Sequence, residues 1–359
     1  MGGCNFKTDI RLPPCISKSA FQQHYVIGKG GFGKVWKLEH KYSGELFAMK
    51  EMSKARVLAK KSVQSVMSER QLLAVLHHSF IVNMHYAFQD RGNLYLVMDL
   101  MPGGDLRYHL GKVKKSSEEQ TSEHYSEFFL ACVLTGLEYL HGNGVLHRDI
   151  KPENLVLDGR GYVRITDMGI ARVLQAENAK DTSGTPGYMA PEVMFKQNHG
   201  LEVDFFAIGV IAFEFMTGKR PYTGKTRKDI RDQVMARQAQ LQEGDLPEGW
   251  SIDAMDFINR LILRKSSARL GSRGTEEVKS HPWFAHFPWE KLSLKALPSP
   301  FVPGEGGDHF DIRLNLSNDP WKDAHSPAMQ EATFVLRRPE TQHLFHGYYY
   351  DGSISTQPG

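Results

Sequence analysis

The sequence predicts an α+β fold in two lobes, a β-rich lobe followed by a helical one. Short apolar runs separated by turn residues occupy the first part of the chain, whereas longer segments of helical character follow Gly104. With 359 residues, the chain is long enough for two lobes and extensions. We divide it into an N-terminal extension (1–20), a domain of two lobes (21–284, lobes 21–100 and 101–284) and a C-terminal tail (285–359).

The first lobe is predicted to hold a small sheet and one helix. Five apolar runs bounded by turns are the candidate strands, at 24–30, 34–40, 46–52, 84–90 and 93–100. One segment interrupts them, over 61–76, with apolar residues at roughly helical spacing. Five predicted strands and a single predicted helix make this lobe the β-rich one.

The second lobe is predicted from two strongly apolar segments. Residues 123–140 and 206–216 are apolar on several faces, which is typical of buried helices. The charged run 111–119 is interpreted as a solvated loop. From Pro298 onward periodicity fades, so we expect an extended tail that ends in an aromatic cluster. That cluster comprises Phe345, Tyr348, Tyr349 and Tyr350.

Composition favours a soluble globular protein. Apolar residues make up 41% and charged residues 24%, and the net charge of +3 is too small to indicate a nucleic-acid partner. No apolar run reaches the roughly 18 residues of a membrane span, and the N-terminus lacks the apolar core of a secretory signal. Three scattered cysteines fit a reducing setting. We therefore expect a cytoplasmic monomer that binds no nucleic acid.

The N-terminus leaves two interpretations open. Gly2 is a candidate for N-myristoylation and Cys4 for palmitoylation, which would associate the protein with a membrane. However, Phe6 stands where the acceptor pattern prefers Ser or Thr. The alternative is a disordered N-terminus that merely begins with glycine.

A glycine-rich motif indicates a phosphate-binding hairpin. Residues 28–35 carry the pattern G-x-G-x-x-G-x-V, which alone is weak evidence. In a dinucleotide-binding fold the glycines would join a strand to a helix, but here both flanks have the character of strands. A glycine hairpin lets backbone N–H groups approach phosphate oxygens, so the context rejects a dinucleotide fold.

A second motif brings the groups needed for phosphoryl transfer together in the sequence. Residues 147–154 read HRDIKPEN and are followed by Asp167-Met168-Gly169. The carboxylate of Asp149 could receive a proton from a hydroxyl nucleophile, and Asn154 and Asp167 are hard oxygen donors suited to Mg²⁺. Catalysis of phosphoryl transfer consists mostly of positioning and neutralising charge.

Together these motifs resemble the eukaryotic protein kinases. The resemblance covers about 21–284 and, more weakly, the tail. Lys151 and Gly184-Thr185-Pro186 resemble the serine/threonine class, and the run 93–110 resembles the AGC group, with the cAMP-dependent and YANK-type kinases the most similar. The resemblance implies a kinase domain over 21–284, an AGC-like tail, ATP and Mg²⁺ as cofactors, and protein substrates.

The resemblance also implies a role for each site residue. Asp149 would orient the substrate hydroxyl and Lys151 would neutralise the transferring phosphate. Lys50 would contact the α- and β-phosphates while paired with Glu69. The residues implied in nucleotide binding are Ile27, Gly28, Lys29, Gly30, Gly31, Phe32, Gly33, Val35, Ala48, Lys50, Met98, Asp99, Met101, Asp105 and Val156; those implied in metal binding are Asn154 and Asp167.

Several supporting positions follow from the same resemblance. Met168 replaces the usual phenylalanine of Asp-Phe-Gly and would pack beneath the helix of Glu69. Its implied packing partners are Leu73, Met84 and His147. Arg269 is the expected buried partner of Glu192, and Asp204 and Gly209 match the helix that supports the catalytic loop, with Phe206 where tryptophan is usual.

Substrate preference is predicted from charge. In basophilic AGC kinases, carboxylates at the positions of Glu153 and Glu214 receive substrate arginines, and Asp105 adds a third carboxylate. This implies protein substrates with basic residues near the serine or threonine. The alternative is that Glu214 forms only a buried helix contact.

Two departures from the AGC pattern bear on regulation. Asp181 occupies the position usually phosphorylated in the activation segment, next to Thr182, with Arg148 and Arg172 as the expected cations. Activity without phosphorylation there is our hypothesis, with Thr182 as an alternative acceptor. In the tail, residues 344–351 resemble the hydrophobic motif that folds onto the small lobe, with Tyr349 at the usual Ser or Thr position. The aromatic cluster could instead be a partly ordered end.

Two rival functions are considered. A pseudokinase would keep the fold as a nucleotide-binding scaffold without transfer, but its usual sign is the loss of residues that are present here. A small-molecule phosphotransferase is the second rival, and the segments 184–185 and 190–192 argue against it because they resemble a platform for a peptide. Residues 299–303 resemble the docking part of AGC tails.

Overall fold

A computed structural model describes residues 15–113, 122–175, 177, 182–304 and 326–353. It has the predicted α+β architecture, with a β-rich lobe followed by a helical lobe. The sites that were expected at Gly2, Cys4 and Asp181 lie outside these ranges. No helix in the described ranges has both the length and the apolar character needed to cross a bilayer.

The strands form one large sheet and two short pairs. They are β1 (Phe21–Lys29), β2 (Gly33–His40), β3 (Leu46–Ser53), β4 (Met84–Gln89), β5 (Asn93–Asp99), β6 (Val145–Leu146), β7 (Leu155–Leu157), β8 (Val163–Ile165), β9 (Arg172–Val173) and β10 (Tyr350–Asp351). The large sheet has the order β1-β2-β3-β5-β4-β10, and β6 pairs with β9 and β7 with β8. All five strands predicted for the first lobe are present.

The helices lie mainly in the second lobe. They are α1 (Lys54–Ala59), α2 (Val63–Val75), α3 (Leu106–Val113), α4 (Glu123–Gly142), α5 (Pro191–Met194), α6 (Glu202–Thr217), α7 (Arg227–Ala236), α8 (Ile252–Leu261), α9 (Thr275–Lys279), α10 (Trp289–Ser293), α11 (Pro327–Val335) and α12 (Pro339–His343). Short 3₁₀ turns cover Lys18–Ala20, Pro152–Asn154, Glu243–Asp245, Ser266–Ala268 and Pro282–Phe284.

The alternation of side chains along β3 decides which residues face the interlobe cleft. Phe47 and Met49 point into a small apolar cluster on the outer face of the sheet. Because successive side chains point to opposite faces, Ala48 and Lys50 face the other side, toward the cleft. The strand therefore presents a lysine to the cleft while its apolar neighbours secure the sheet.

The second lobe is built around two helices that are almost wholly buried. The helices α4 and α6 are strongly apolar on several faces, as the sequence predicted, and the core continues through both. Two carboxylates of α6 are nevertheless buried, Asp204 in its first turn with a side-chain exposure of 1% and Glu214 with 4%. Such buried carboxylates require hydrogen-bond partners, and Asp204 finds them in the loop between β6 and β7 described below.

The structure corrects three sequence-based expectations about secondary structure. The charged run 111–119 was interpreted as a loop, but α3 extends to Val113, and 114–121 lie outside the described residues. A separate helix, α1, precedes the predicted one because Ser53 caps it, accepting from the backbone N–H of Arg56 at 3.5 Å.

The tail is not simply extended, which is the third correction. Two parts of it are described: 285–304 contains α10, and 326–353 forms α11, α12 and strand β10. The helix α11 begins where Ser326 accepts a hydrogen bond from the backbone N–H of Met329, with Pro327 in its first turn. The fading periodicity of this segment hid these helices because both are short.

Candidate active site

A cavity of about 300 Å³ lies between the two lobes. It is lined by Ile27, Gly28, Lys29, Gly30, Val35, Ala48, Lys50, Glu69, Leu73, Val82, Met98, Asp99, Met101, Gly104, Asp105, Glu153, Asn154, Val156, Thr166, Asp167 and Met168. Both predicted metal-binding residues border it, as do most of the residues predicted to bind nucleotide. The remaining three of that set, Gly31, Phe32 and Gly33, border the adjoining hollow together with Asp149.

The glycine-rich segment forms the hairpin between β1 and β2. The backbone N–H of Gly30 donates to the carbonyl of Gly33 at 2.9 Å, which closes the turn. A Cβ atom at Gly33 would lie 1.6 Å from the carbonyl oxygen of Glu51, so only glycine fits there. Lys60 donates to the carbonyl of Gly31 at 2.7 Å and thereby ties the turn to the end of α1.

Lys50 is held by two carboxylates at the edge of the cavity. Its Nζ lies 2.7 Å from Glu69 Oε1 on α2 and 3.3 Å from Asp167 Oδ1. Burial alone would lower the pKa of Lys50, but the neighbouring charges of Asp167 and Glu69 outweigh it and raise that pKa. The charge of Lys50 in turn lowers the pKa of Asp167. Lys50 is therefore a fixed cation and Asp167 a fixed anion at neutral pH.

The loop between β6 and β7 is fixed from behind by Asp204. This carboxylate accepts from the backbone N–H groups of His147 at 3.0 Å and Arg148 at 2.7 Å, and from His141 Nε2 at 2.9 Å. Arg148 has a φ of 66°, a left-handed conformation that costs a non-glycine residue roughly 1 kcal/mol or more. The hydrogen bonds from Asp204 hold the loop in that conformation.

Asp149 is the centre of a polar network. Its Oδ2 lies 2.6 Å from Lys151 Nζ and 3.2 Å from Asn154 Nδ2, and its Oδ1 accepts from the Thr185 hydroxyl at 2.6 Å. Lys151 also donates to the Thr185 hydroxyl oxygen at 3.0 Å. The network joins the loop between β6 and β7 to the segment that carries Thr185, and it fixes the direction of the Asp149 carboxylate.

Asn154 and Asp167 supply oxygen atoms that fit a magnesium ion. The Nδ2 group of Asn154 bonds back to Asp149, so its amide oxygen is directed elsewhere in the site. The backbone N–H of Thr166 donates to the carbonyl of Asn154 at 3.0 Å, which places the segments of both residues side by side. Within the described ranges no three acidic, histidine or cysteine side chains form a metal cluster. Two oxygen ligands completed by phosphates and water are what Mg²⁺ prefers.

The end of the cavity that lies along the connection between the lobes is apolar. Met98 borders it from β5, Met101 from the connection and Val156 from β7. Asp99 points its side chain away into a polar cluster, where it pairs with Arg164 at 2.9 Å and His85 at 2.8 Å. These contacts explain the pKa of Asp99, which burial would raise but hydrogen bonding with His85 and other partners lowers.

The residues that were expected to pack around Met168 are all buried. Met168 is 1% exposed, and Leu73, Met84 and His147 are no more than 3% exposed. His147 Nε2 also lies 3.1 Å from the carbonyl oxygen of Thr166, just before the Asp-Met-Gly segment. The methionine is therefore buried where it borders the cavity, next to Asp167, whose φ is 66°.

The expected buried pair below the activation segment is present. Arg269, fully buried, contacts the two carboxylate oxygens of Glu192 at 2.6 and 2.9 Å. The guanidinium of Arg269 also lies 5.0 Å from the ring centroid of Phe206. This bidentate pair fixes α5, and with it the end of the activation segment.

Glu153 and Glu214, expected to receive substrate arginines, are instead paired within the chain. Arg107 Nε lies 3.0 Å from Glu153 Oε1, and its Nη1 lies 2.7 Å from Glu214 Oε1. Asp105 accepts from the backbone N–H of Tyr108 at 2.8 Å and so caps α3. The predicted preference for basic substrates stays a prediction, and the structure adds that Arg107 occupies both carboxylates in the described conformation. Sequence alone could not reveal it, because Arg107 is far from Glu214 along the chain.

The tail packs on the first lobe, as one of the two interpretations of the aromatic cluster expected. Phe345 and Tyr348 are fully buried, and β10 pairs with β4, with Tyr350 opposite Ala87. Lys54, itself 1% exposed, lies 5.0 Å from the Phe345 ring centroid and donates to Gln342 at 2.9 Å. The tail therefore supports the lobe that carries Glu69.

Two segments that the sequence analysis singled out, 299–303 of the tail and the region of Thr182, make contacts with the second lobe. Ser299 donates to the carbonyl of Gly161 at 3.0 Å, and Phe301 packs edge-on against His109, so the segment 299–303 contacts the second lobe. In the activation segment, the carbonyl of Thr182 accepts from Arg227 at 3.0 Å.

Sequence reasoning missed three cavity residues. Thr166 and Gly104 directly precede the predicted residues Asp167 and Asp105, so their positions offered a signal. Val82 offered none, because a long-range hydrogen bond of 2.9 Å to the carbonyl of Ile165 brings it to the cavity.

Comparison with known proteins agrees with this geometry. Residues 21–284 match the protein kinase domain family. A probable serine/threonine-protein kinase of Dictyostelium discoideum is 37% identical over 343 residues, covering 92% of this chain and 73% of the relative. Ribosomal protein S6 kinase alpha-2 of Mus musculus is 36% identical, covering 94% of this chain and 45% of the relative. The cAMP-dependent protein kinase catalytic subunit of Dictyostelium discoideum is 36% identical, covering 81% and 44% respectively.

Proposed function

This chain belongs to the protein kinase domain family as an AGC-like serine/threonine kinase, and we propose that it transfers the γ-phosphate of magnesium-bound ATP to hydroxyl groups of protein substrates. One observation carries the proposal. The Lys50–Glu69 pair, at 2.7 Å, and the Asp149–Lys151 pair, at 2.6 Å, lie on opposite sides of one cleft. A cation for the phosphates and an acceptor for the hydroxyl proton are thus available together.

Each residue has a proposed task. Lys50 holds the α- and β-phosphates, and Glu69 keeps its ammonium in place. Asp149 accepts or orients the hydroxyl proton of the substrate, while Lys151 offsets charge on the phosphoryl group. Asn154 and Asp167 hold Mg²⁺, which when bound neutralises the charge of the phosphates.

Binding of the adenosine part is assigned to the apolar end of the cavity. Ala48, Met98 and Val156 would enclose the adenine ring, and backbone groups from Asp99 to Met101 would bond its edge. Asp105 is close enough to the cavity to reach the ribose. The glycine hairpin at 28–33 would cover the phosphates with backbone N–H groups, since side chains are absent at its glycines.

The substrates are proposed to be protein segments that carry serine or threonine. Because Glu153 and Glu214 are paired with Arg107, the proposal is not restricted to arginine-containing segments.

Acylation of Gly2 and a cytoplasmic location at a membrane surface are separate proposals. The mass of the N-terminal peptide from eukaryotic expression would test the acylation.

A transfer assay separates a kinase from a nucleotide-binding scaffold. The purified chain would be incubated with Mg-ATP and a library of serine and threonine peptides, with Lys50→Met as the control. We expect phosphopeptides from the wild type and a loss of at least about a hundred-fold in the variant. Tight ATP binding by the wild type with incorporation no greater than in Lys50→Met would instead identify a pseudokinase.

A further inference from the structure

An arginine of this chain fills the acidic site beside the catalytic loop. We call Glu153, Glu214 and Tyr188 the acidic subsite. Arg107 donates to Glu153 Oε1 at 3.0 Å and to the two oxygens of Glu214 at 2.7 and 3.2 Å, and it also contacts the Tyr188 hydroxyl. Tyr188 in turn donates to Glu214 Oε2 at 2.7 Å. One guanidinium therefore joins the catalytic loop, α6 and the activation segment.

The acidic subsite lies next to the place where a substrate hydroxyl would react. Glu153 directly precedes Asn154 and borders the cavity. Tyr188 follows Thr185 by one turn, with its N–H donating to the Thr185 carbonyl at 2.9 Å, and the Thr185 hydroxyl contacts Asp149 at 2.6 Å. A peptide chain placed with its hydroxyl at Asp149 would therefore pass close to Glu153.

The contacts with Glu214 leave little acceptor capacity for a ligand. The Glu214 side chain is 4% exposed, and each of its oxygens has a partner in the subsite. The Arg107 side chain is 32% exposed, so solvent reaches this pair mainly through the arginine. Bidentate arginine–carboxylate bonds in a buried setting are strong and geometrically specific. A substrate arginine could reach Glu214 only by displacing Arg107.

The position of Arg107 is fixed by the local fold of α3. Asp105 caps this helix through the N–H of Tyr108 at 2.8 Å, and Arg107 follows in its first turn. An internal side chain has an effective concentration on the order of millimolar or higher at its own site. A peptide present at micromolar concentration does not compete with that for the same carboxylate.

We propose that Arg107 takes the place of a substrate arginine in the acidic subsite and is thereby the specificity-determining residue that makes this kinase indifferent to arginine near the phosphoacceptor. The inference rests on the proposed kinase function and gives its substrate class. Removing the guanidinium opens two carboxylates beside the reacting centre and creates selection for a basic substrate. With Arg107 present, its positive charge offsets one of the two carboxylates. The subsite then keeps a net charge of about one negative unit, next to the half-exposed Glu153.

The test is a ratio of specificity constants. Serine peptides that differ only by an arginine or an alanine, moved through each upstream position, would be assayed with the wild type and Arg107→Met. The wild-type ratio of kcat/KM, arginine over alanine, is expected to be close to one. In Arg107→Met it should rise by on the order of ten-fold or more at one position, and adding Glu214→Gln should remove the gain. Arg231→Met, at an exposed arginine on α7, is the matched control.

The outcomes distinguish the inference from the function on which it rests. A strong arginine preference in the wild type, or an unchanged ratio in Arg107→Met, would overturn the inference. If Arg107 only stabilised the fold, Arg107→Met would lower kcat/KM for both peptides by the same factor. The ratio of arginine peptide to alanine peptide would then not change. No phosphorylation of any peptide above that of Asp149→Asn would instead refute the proposed function.

A second measurement needs no variant, in case Arg107→Met does not fold. Peptides with alanine in place of the phosphoacceptor serine would be tested as inhibitors of the wild type. The proposal predicts equal inhibition with and without arginine. Inhibition about ten-fold stronger by the arginine peptide would contradict it.

Discussion

The Nζ atom of Lys50 lies 2.7 Å from the Oε1 atom of Glu69, although the two residues belong to different elements of the first lobe. This pair joins the cleft face of β3 to helix α2, and Glu69 is only 4% exposed. In protein kinases the pair must form for the enzyme to be active. The described conformation therefore contains the ion pair that an active protein kinase requires.

Glu69→Gln should weaken this arrangement without unfolding the chain. The amide keeps the volume but loses the charge that holds the ammonium of Lys50, so we expect kcat/KM for ATP to fall by roughly ten- to a hundred-fold. Steady-state kinetics at varied ATP concentration would measure it. Glu45→Gln, at an exposed glutamate, is the control and should behave as wild type. Equal loss in both variants would refute the role of the pair.

Phe345→Ala should release the tail from the first lobe. Phe345 is fully buried and lies beside Lys54, so its truncation should cost about 3 kcal/mol of local stability. We expect faster hydrogen exchange in β4 and lower transfer activity, because the tail supports α1 and α2. The neighbouring Leu344, 52% exposed, provides the matched control Leu344→Ala. Unchanged exchange in Phe345→Ala would show that the docked tail contributes nothing to this lobe.

Glu127→Gln should stabilise the protein at alkaline pH. Burial, together with the charge of Glu123, raises the pKa of Glu127 to about 7 from its usual 4.5. The folded state therefore retains a proton that the unfolded state has lost, so the free energy of unfolding falls as pH rises from 4.5 to 7 and stays lower above it.

Glu127→Gln removes this pH-dependent fall in the free energy of unfolding, because glutamine does not ionise. Allowing for the partial exposure of Glu127, we expect a gain of about 1 kcal/mol near pH 8 and almost none near pH 4. Urea unfolding at both pH values would measure it, with Glu331→Gln on the exposed face of α11 as the control. An equal change at the two pH values would contradict the assigned cause.

Phosphatase treatment tests whether activation needs phosphorylation. Asp181 carries one negative charge where a phosphothreonine carries nearly two, so we expect bacterially expressed protein to keep most of its activity after treatment. Asp181→Asn should lower that activity several-fold, while Thr182→Ala should not. Loss of most activity on phosphatase treatment would show that a phosphate group, rather than the Asp181 carboxylate, supplies the negative charge that activation requires.

Local spacing explains what could be predicted from the sequence. The glycine hairpin, the strand that carries Lys50 and the loop of Asp149 each depend on neighbouring residues, and their predicted elements are present. The pairing of Lys50 with Glu69 came from the resemblance, since no local pattern joins a strand to a helix. The contacts then confirmed it.

Long-range contacts explain what could not be predicted. Arg107 lies 107 residues from Glu214 in sequence, and nothing in the spacing shows that their side chains meet. The tail helices α11 and α12 are short, α11 packs on α1, and Gln342 of α12 accepts a hydrogen bond from Lys54 of α1, so their own periodicity was too weak to indicate them. Both misses concern tertiary partners rather than local conformation.

The most direct test of the account compares ATP binding with phosphoryl transfer in the same samples of wild type and Asp149→Asn. The residues assigned to hold the nucleotide and metal are unchanged in the variant, so its Mg²⁺-dependent ATP affinity should stay within a few-fold of wild type. Transfer to a serine peptide should fall by roughly a hundred- to ten-thousand-fold, because the hydroxyl loses its proton acceptor. Transfer by Asp149→Asn at the wild-type rate would contradict the assignment of this site as a protein kinase centre.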